Sequence, residues 1–160
     1  MLPRRGAATS KYHPSVKRKS LVAGVLLTLL TVGVFLPVVR FDFVHWDDDA
    51  YVLNNARVQA GVTPDNVRWA FTTNYFGYYY PLTWLSHMLD CQLYGMWAGG
   101  HHLTSVAIHA VTAVLLFVFL LGLVANPWTA AALAALWAVH PQFSKPGIAI
   151  ISRVGMAQPC

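Results

Sequence analysis

Glutamate is absent from this 160-residue chain, and its six acidic residues are all aspartates, confined to positions 42–90. Charge of either sign is scarce: 11% of residues are charged, against roughly 25% in ordinary globular domains. With 56% hydrophobic residues and a mean hydropathy of +0.48, that scarcity argues against a soluble domain. Lacking a closing Glu and alternating oxygen ligands, the run Asp47-Asp48-Asp49 is not an EF-hand. Cysteine is equally sparse. Cys91 and Cys160 stand far apart, without metal or redox spacing, and read as unpaired thiols. A Gly-rich phosphate loop, a nucleophile elbow and a dinucleotide fingerprint are also missing, so a soluble nucleotide-dependent mechanism has no support.

The net charge is +5, yet the cations are misplaced for nucleic acid. Arg4, Arg5, Lys11, Lys17, Arg18 and Lys19 crowd the start of the chain among Pro, Ser, Thr and Gly. Residues 1–20 therefore read as a disordered basic tail, and no nucleic-acid partner is expected.

Long apolar runs are what the chain does have. Residues 21–39, LVAGVLLTLLTVGVFLPVV, approach the ~20 residues that cross a bilayer. A signal peptide would have a shorter apolar region, about 7 to 15 residues, and a small-x-small cleavage site, which is lacking here. An uncleaved anchor is expected, with the cations holding the N-terminus in the cytoplasm and residues 40–100 emerging as an extracytoplasmic loop. Residues 101–125 form a second transmembrane run, in which His102, Ser105, His109 and Thr112 recur along one stripe. Such a stripe should face protein or a wet cavity, and simple helix packing would explain it equally well. Asn126 and Pro127 suit the cap and first residue of a short transmembrane helix over 127–140, too short at about 20 Å for a ~30 Å core. A polar loop and the beginning of a further helix fill 141–160. The expected fold class is all-α: polytopic membrane helices with a large first extracytoplasmic loop carrying short amphipathic helices.

Within that loop, VTPDNVRWAF has Thr63 as N-cap, Pro64 as first helical residue and Asp65 at the positive end of the dipole. In PLTWLSHMLDCQLYG, Leu82, Leu85, Leu89 and Leu93 form an apolar stripe, with Thr83, Ser86, His87 and Asp90 facing elsewhere. That helix should lie on the bilayer surface or on a neighbouring helix. Gly95, Gly99 and Gly100 are expected to end it and loosen the turn back into the membrane.

Two constellations carry chemistry. The triplet in HWDDDAYVLNN is, in the plainest reading, a solvated acidic loop. In a recessed pocket, however, the three carboxylates cannot all relax, and one held beside a cation suits general-base work on a hydroxyl. Of the histidines, the adjacent pair His101-His102 points its rings in different directions. No metal centre is expected, and phosphate contact or helix–helix hydrogen bonding is favoured.

Taken together, HWDDDAYVLNN, VRWAFTT, YYPLTWLSHMLDCQLYG, GGHHLTS and AVHP resemble, in order, the membrane part of the tetratricopeptide-repeat O-mannosyltransferase-like family. These are C-type glycosyltransferases that use a polyprenyl-phosphate sugar. The resemblance, over residues 41–141, implies catalysis on the extracytoplasmic face with Asp47 and Asp48 as the acidic pair. One of them would act as base toward a Ser or Thr hydroxyl of a protein acceptor. No cofactor is assigned, and no residue is assigned as a metal ligand. His102, His140 and Arg153 are the candidates to bind the lipid phosphate. After His140-Pro141 the sequence departs from the family: Lys145 stands where Glu is common and Gly155 near the usual Asp. This motivates an alternative, a non-catalytic membrane module binding lipid or a partner protein. The family also carries more transmembrane helices and then ~34-residue helical repeats. The chain is therefore expected to be an N-terminal fragment, inactive in isolation.

Overall fold

The computed structural model describes residues 14–44, 48–75 and 77–140. In chain order its elements are α1 (Pro14–Phe35), a 3-10 turn (Leu36–Arg40), a π-helical turn (Asp49–Leu53), α2 (Ala56–Gln59), α3 (Pro64–Thr72), α4 (Pro81–Tyr94), α5 (Ala98–Val124) and α6 (Pro127–Ala138). Among the described residues there is no strand, only an isolated bridge between Tyr75 and Tyr78.

Local chemistry sets the helix starts. Proline, which lacks the N–H that a first helical residue leaves unsatisfied, opens α1, α3, α4 and α6. Thr63 Oγ1 accepts from the Asn66 N–H at 3.2 Å. Asn126 Oδ1 accepts from Trp128 N at 3.0 Å and Thr129 N at 3.3 Å, and Asn55 caps α2 in the same way. These are the caps that the sequence predicts for α3 and α6; α2 and the π-helical turn are additions.

Three helices make an antiparallel bundle. Gly24 of α1 sits beside Phe117, late in α5, whereas Phe35 and Val38 pack on Val106, early in α5. α6 returns along both, burying Ala130, Ala134 and Ala138 completely against Ala23, Leu27, Ala113 and Phe117. Small residues at four-residue intervals let the backbones approach closely, the packing mode of helices in lipid. The outward faces remain apolar: Leu29, Leu115 and Leu123 are 63%, 63% and 67% exposed. Two segments, Val16–Arg40 and Ala98–Val124, are long and apolar enough to cross a membrane. α6, with 12 residues, covers about 18 Å and ends at Ala138, two residues short of the expected His140.

The remaining elements cap one end of this bundle, where α1 finishes, α5 begins and α6 stops. Their core is Trp84, fully buried with Val52, Val58, Ala70 and Met88.

Three expectations are corrected. Residues 14–20 are helical, because α1 starts at Pro14, ahead of the apolar run. On α4 the expected stripe is narrowed: Trp84, Met88 and Cys91 are the buried face with Leu85 packed beside them, while Leu82, Leu89 and Leu93 are exposed. The larger indole fills the centre of the core, and of the four leucines only Leu85 packs against it. Gly99 and Gly100 lie inside α5 rather than in a loose turn. A Cβ on Gly99 would stand 2.5 Å from the Val39 carbonyl oxygen, and one on Gly100 would collide with the Tyr94 ring. Their role is close packing, and the connection is the turn at Gly95, whose φ of +61° suits glycine.

Candidate functional site

The aspartate-bearing segment is pinned at both ends to the cap. On its N-terminal side, Phe41 N donates to Val38 O at 2.9 Å, turning the chain off the bundle. The Phe43 ring then meets His101 edge-on at 5.2 Å and His102 at 6.4 Å. On the other side, Tyr51 stacks on Trp84 at 5.0 Å. Tyr75 approaches the same indole at 5.2 Å and donates its hydroxyl to Ala50 O at 3.3 Å. Gln59 Nε2 donates to Val52 O and Leu53 O at 3.0 and 2.7 Å, holding the exit of the turn.

Between these anchors, Asp48 Oδ2 accepts from the Val44 N–H at 2.9 Å, which orients its carboxylate. The turn that follows closes through Asn54 N to Asp49 O at 2.8 Å, a bond spanning five residues. π-type turns are rare, and those that occur are frequent at functional sites. A cleft of about 410 Å³ opens nearby, its walls including Arg40, Asp42, Phe43, Met96 and Trp97.

Below this segment, α4 and the first turns of α5 bring together a second group of polar side chains. His87 and Asp90 are three apart on α4, and His101 and Thr104 are three apart on α5, so each pair shares a helix face. The Thr104 hydroxyl donates to Asp90 Oδ1 at 2.6 Å. His101 Nε2 lies 3.0 Å from the Gly95 carbonyl; a carbonyl can only accept, so this nitrogen carries the proton. His101 Nδ1 then faces Asp90 Oδ2 at 3.9 Å. The His87 and His101 rings lie nearly parallel, 6.4 Å apart. Burial pushes the Asp90 carboxyl above its ordinary value, against the lowering pull of the Thr104 hydrogen bond and His101.

The residues singled out from the sequence fare differently. Asp48 is held by the Val44 N–H, and His102 lies 6.4 Å from the ring of the preceding Phe43. His102 Nε2 is buried and has no hydrogen-bond partner among the described residues. His140 is exposed at the end of α6, its N–H donating to Trp137 O at 3.2 Å. Asp47 and Arg153, and with them Lys145, lie outside the described residues. The expected polar stripe on α5 divides. His109 is buried and bonds the Ala138 carbonyl at 2.8 Å, while Ser105 and Thr112 turn back onto the carbonyls of His101 and Ile108. His87 and Asp90 were read only as the polar side of α4; their three-residue spacing beside a His-His-x-Thr helix start was the signal to weigh.

Comparison of the chain with protein-family models, curated proteins and solved structures finds no match.

Proposed function

We propose that this chain is the amino-terminal membrane part of a glycosyltransferase. It would move a sugar, with mannose expected, from a polyprenyl-phosphate donor to a Ser or Thr hydroxyl of a protein on the extracytoplasmic face. The observation that carries this reading is the anchoring of the Asp48 segment. Phe43 fastens it to the bundle end where α5 opens with His101-His102, and Tyr51 fastens it to Trp84 of α4. Directly beside it, α1 and α5 offer apolar outer faces to a lipid.

In the proposed reaction, Asp48 or Asp47 takes the proton of the acceptor hydroxyl as its oxygen attacks the anomeric carbon. The bond from that carbon to the phosphate oxygen breaks on the opposite face, with inversion, and the lipid phosphate leaves with the electron pair. Preorganised donors facing that growing negative charge lower the barrier. His102, with a ring nitrogen that no described group engages, takes this role together with His140 and Arg153.

The test is transfer of labelled mannose from polyprenyl-phosphate mannose by the natural full-length protein. Asp48→Asn or Asp47→Asn should cut the rate roughly 10²- to 10⁴-fold, the range for loss of a general base. Wild-type rates in both variants would eliminate the role. Donor binding without turnover in the unaltered protein would favour the alternative, a lipid- or partner-binding membrane module.

A further inference from the structure

The geometry points to a divalent transition-metal site, of the kind that takes zinc, formed by His87 and Asp90 of α4 and His101 of α5. Ligand atoms of the three residues all lie within 4.8 Å of one another. Two histidines and a carboxylate, leaving a further position open, form a donor set that such ions accept.

The decisive feature is the His101–Asp90 pair. Because Nε2 of His101 is protonated toward Gly95 O, the lone pair of the neutral ring is on Nδ1. That atom is buried, on a side chain 5% exposed, and makes no hydrogen bond. It faces a carboxylate oxygen, also buried, at 3.9 Å. Two lone pairs opposed in a site of low polarity repel, so positive charge belongs between them. A shared proton would draw the atoms to about 2.7–2.9 Å. Two ligands on one ion, each at about 2.0–2.2 Å, stand roughly 3–4 Å apart, and the observed separation falls in that range. His87, whose ligand atom lies within the same 4.8 Å, would close onto the ion by a side-chain movement.

The surroundings fit as well. Ligating histidines usually donate their second N–H to a carbonyl or carboxylate, and ligating carboxylates are themselves hydrogen-bonded. Gly95 O meets the first condition for His101, and the Thr104 hydroxyl meets the second for Asp90. The ion would also tie α4 to α5 beneath the aspartate segment. This inference stands independently of sugar transfer.

The test uses the full chain, purified in detergent, stripped with chelator and titrated with Zn²⁺ or Co²⁺. One equivalent should bind, and Co²⁺ should give the visible absorption of a low-coordinate histidine–carboxylate site. Asp90→Asn, which keeps an acceptor for Thr104, and His101→Gln should abolish stoichiometric uptake. Thr104→Val should keep the stoichiometry but weaken affinity roughly 10- to 100-fold, as loss of a supporting hydrogen bond does. The cobalt spectrum of the unaltered chain needs no variant to fold. Absence of uptake by that chain, or undiminished uptake in Asp90→Asn and His101→Gln, would overturn the site.

Discussion

The ring of Tyr51 lies flat on the indole of Trp84, 5.0 Å between centroids and 18° from parallel. This stack joins the turn after the aspartates to Trp84, a fully buried tryptophan of the cap. Aromatic pairs of this kind contribute about 0.5–1.5 kcal/mol beyond the area they bury.

Trp84→Ala should therefore cost about 3–5 kcal/mol, the range for emptying a large aromatic site. Its effect should be local. Amide exchange should accelerate in Asp49–Leu53 and α3 while α5 and α6 keep their protection, because the bundle core shares no residue with the Trp84 cluster. Leu82→Ala, on the exposed stripe of the same helix, should change stability by less than about 0.5 kcal/mol. Equal effects from the two substitutions would contradict this packing.

Glycines inside helices separate by what surrounds them. Gly99→Ala forces a methyl toward the Val39 carbonyl oxygen and the Trp97 ring, and should cost about 1–3 kcal/mol through overpacking. Gly33→Ala meets nothing within 4 Å and should stabilise α1 by about 0.5–1 kcal/mol, the usual gain of Ala over Gly in a helix. Thermal unfolding of the two variants in detergent should shift in opposite directions.

The Cys91 thiol is pushed up by burial, with the Asp90 charge adding in the same direction. A raised thiol pKa means less thiolate than a free cysteine has at any given pH. Alkylation of Cys91 in the metal-free folded chain should therefore rise with pH later than that of an unfolded control, and remain slow at neutral pH. The stability linked to the neutral thiol is present below the unfolded-state value and is lost as pH climbs through the raised one. Mass spectrometry of the labelled peptide reads the rate; alkylation as fast as in denaturant would contradict the buried thiol.

Much of the helical pattern was legible because it rests on local chemistry. The Thr63-Pro64 and Asn126-Pro127 starts could be read directly, since a cap and a proline act within one turn. The apolar lengths of α1 and α5 were equally plain. The short α2 and the π-helical turn were not, because neither has enough residues to show a period. The buried face of α4 was not legible for a different reason: periodicity ranks leucines together but does not say that Tyr51 and Tyr75, from distant segments, converge on Trp84. That Phe43, beside the Val44 N–H that holds Asp48, meets His102 of α5 could not be read either, because it joins segments nearly sixty residues apart. His87 and Asp90 escaped notice because each looks like an ordinary polar residue until α5 is laid beside α4.

By itself the sequence determined the apolar helix lengths, their caps and the restriction of acid to one region, all properties of neighbouring residues. Only the tertiary structure decided that Phe35 and Val38 pack on Val106, and that His87, Asp90 and His101 face one another across two helices. Such contacts depend on which faces pack, and that choice is made by the fit of Trp84, Gly99 and the α6 alanines against distant parts of the chain.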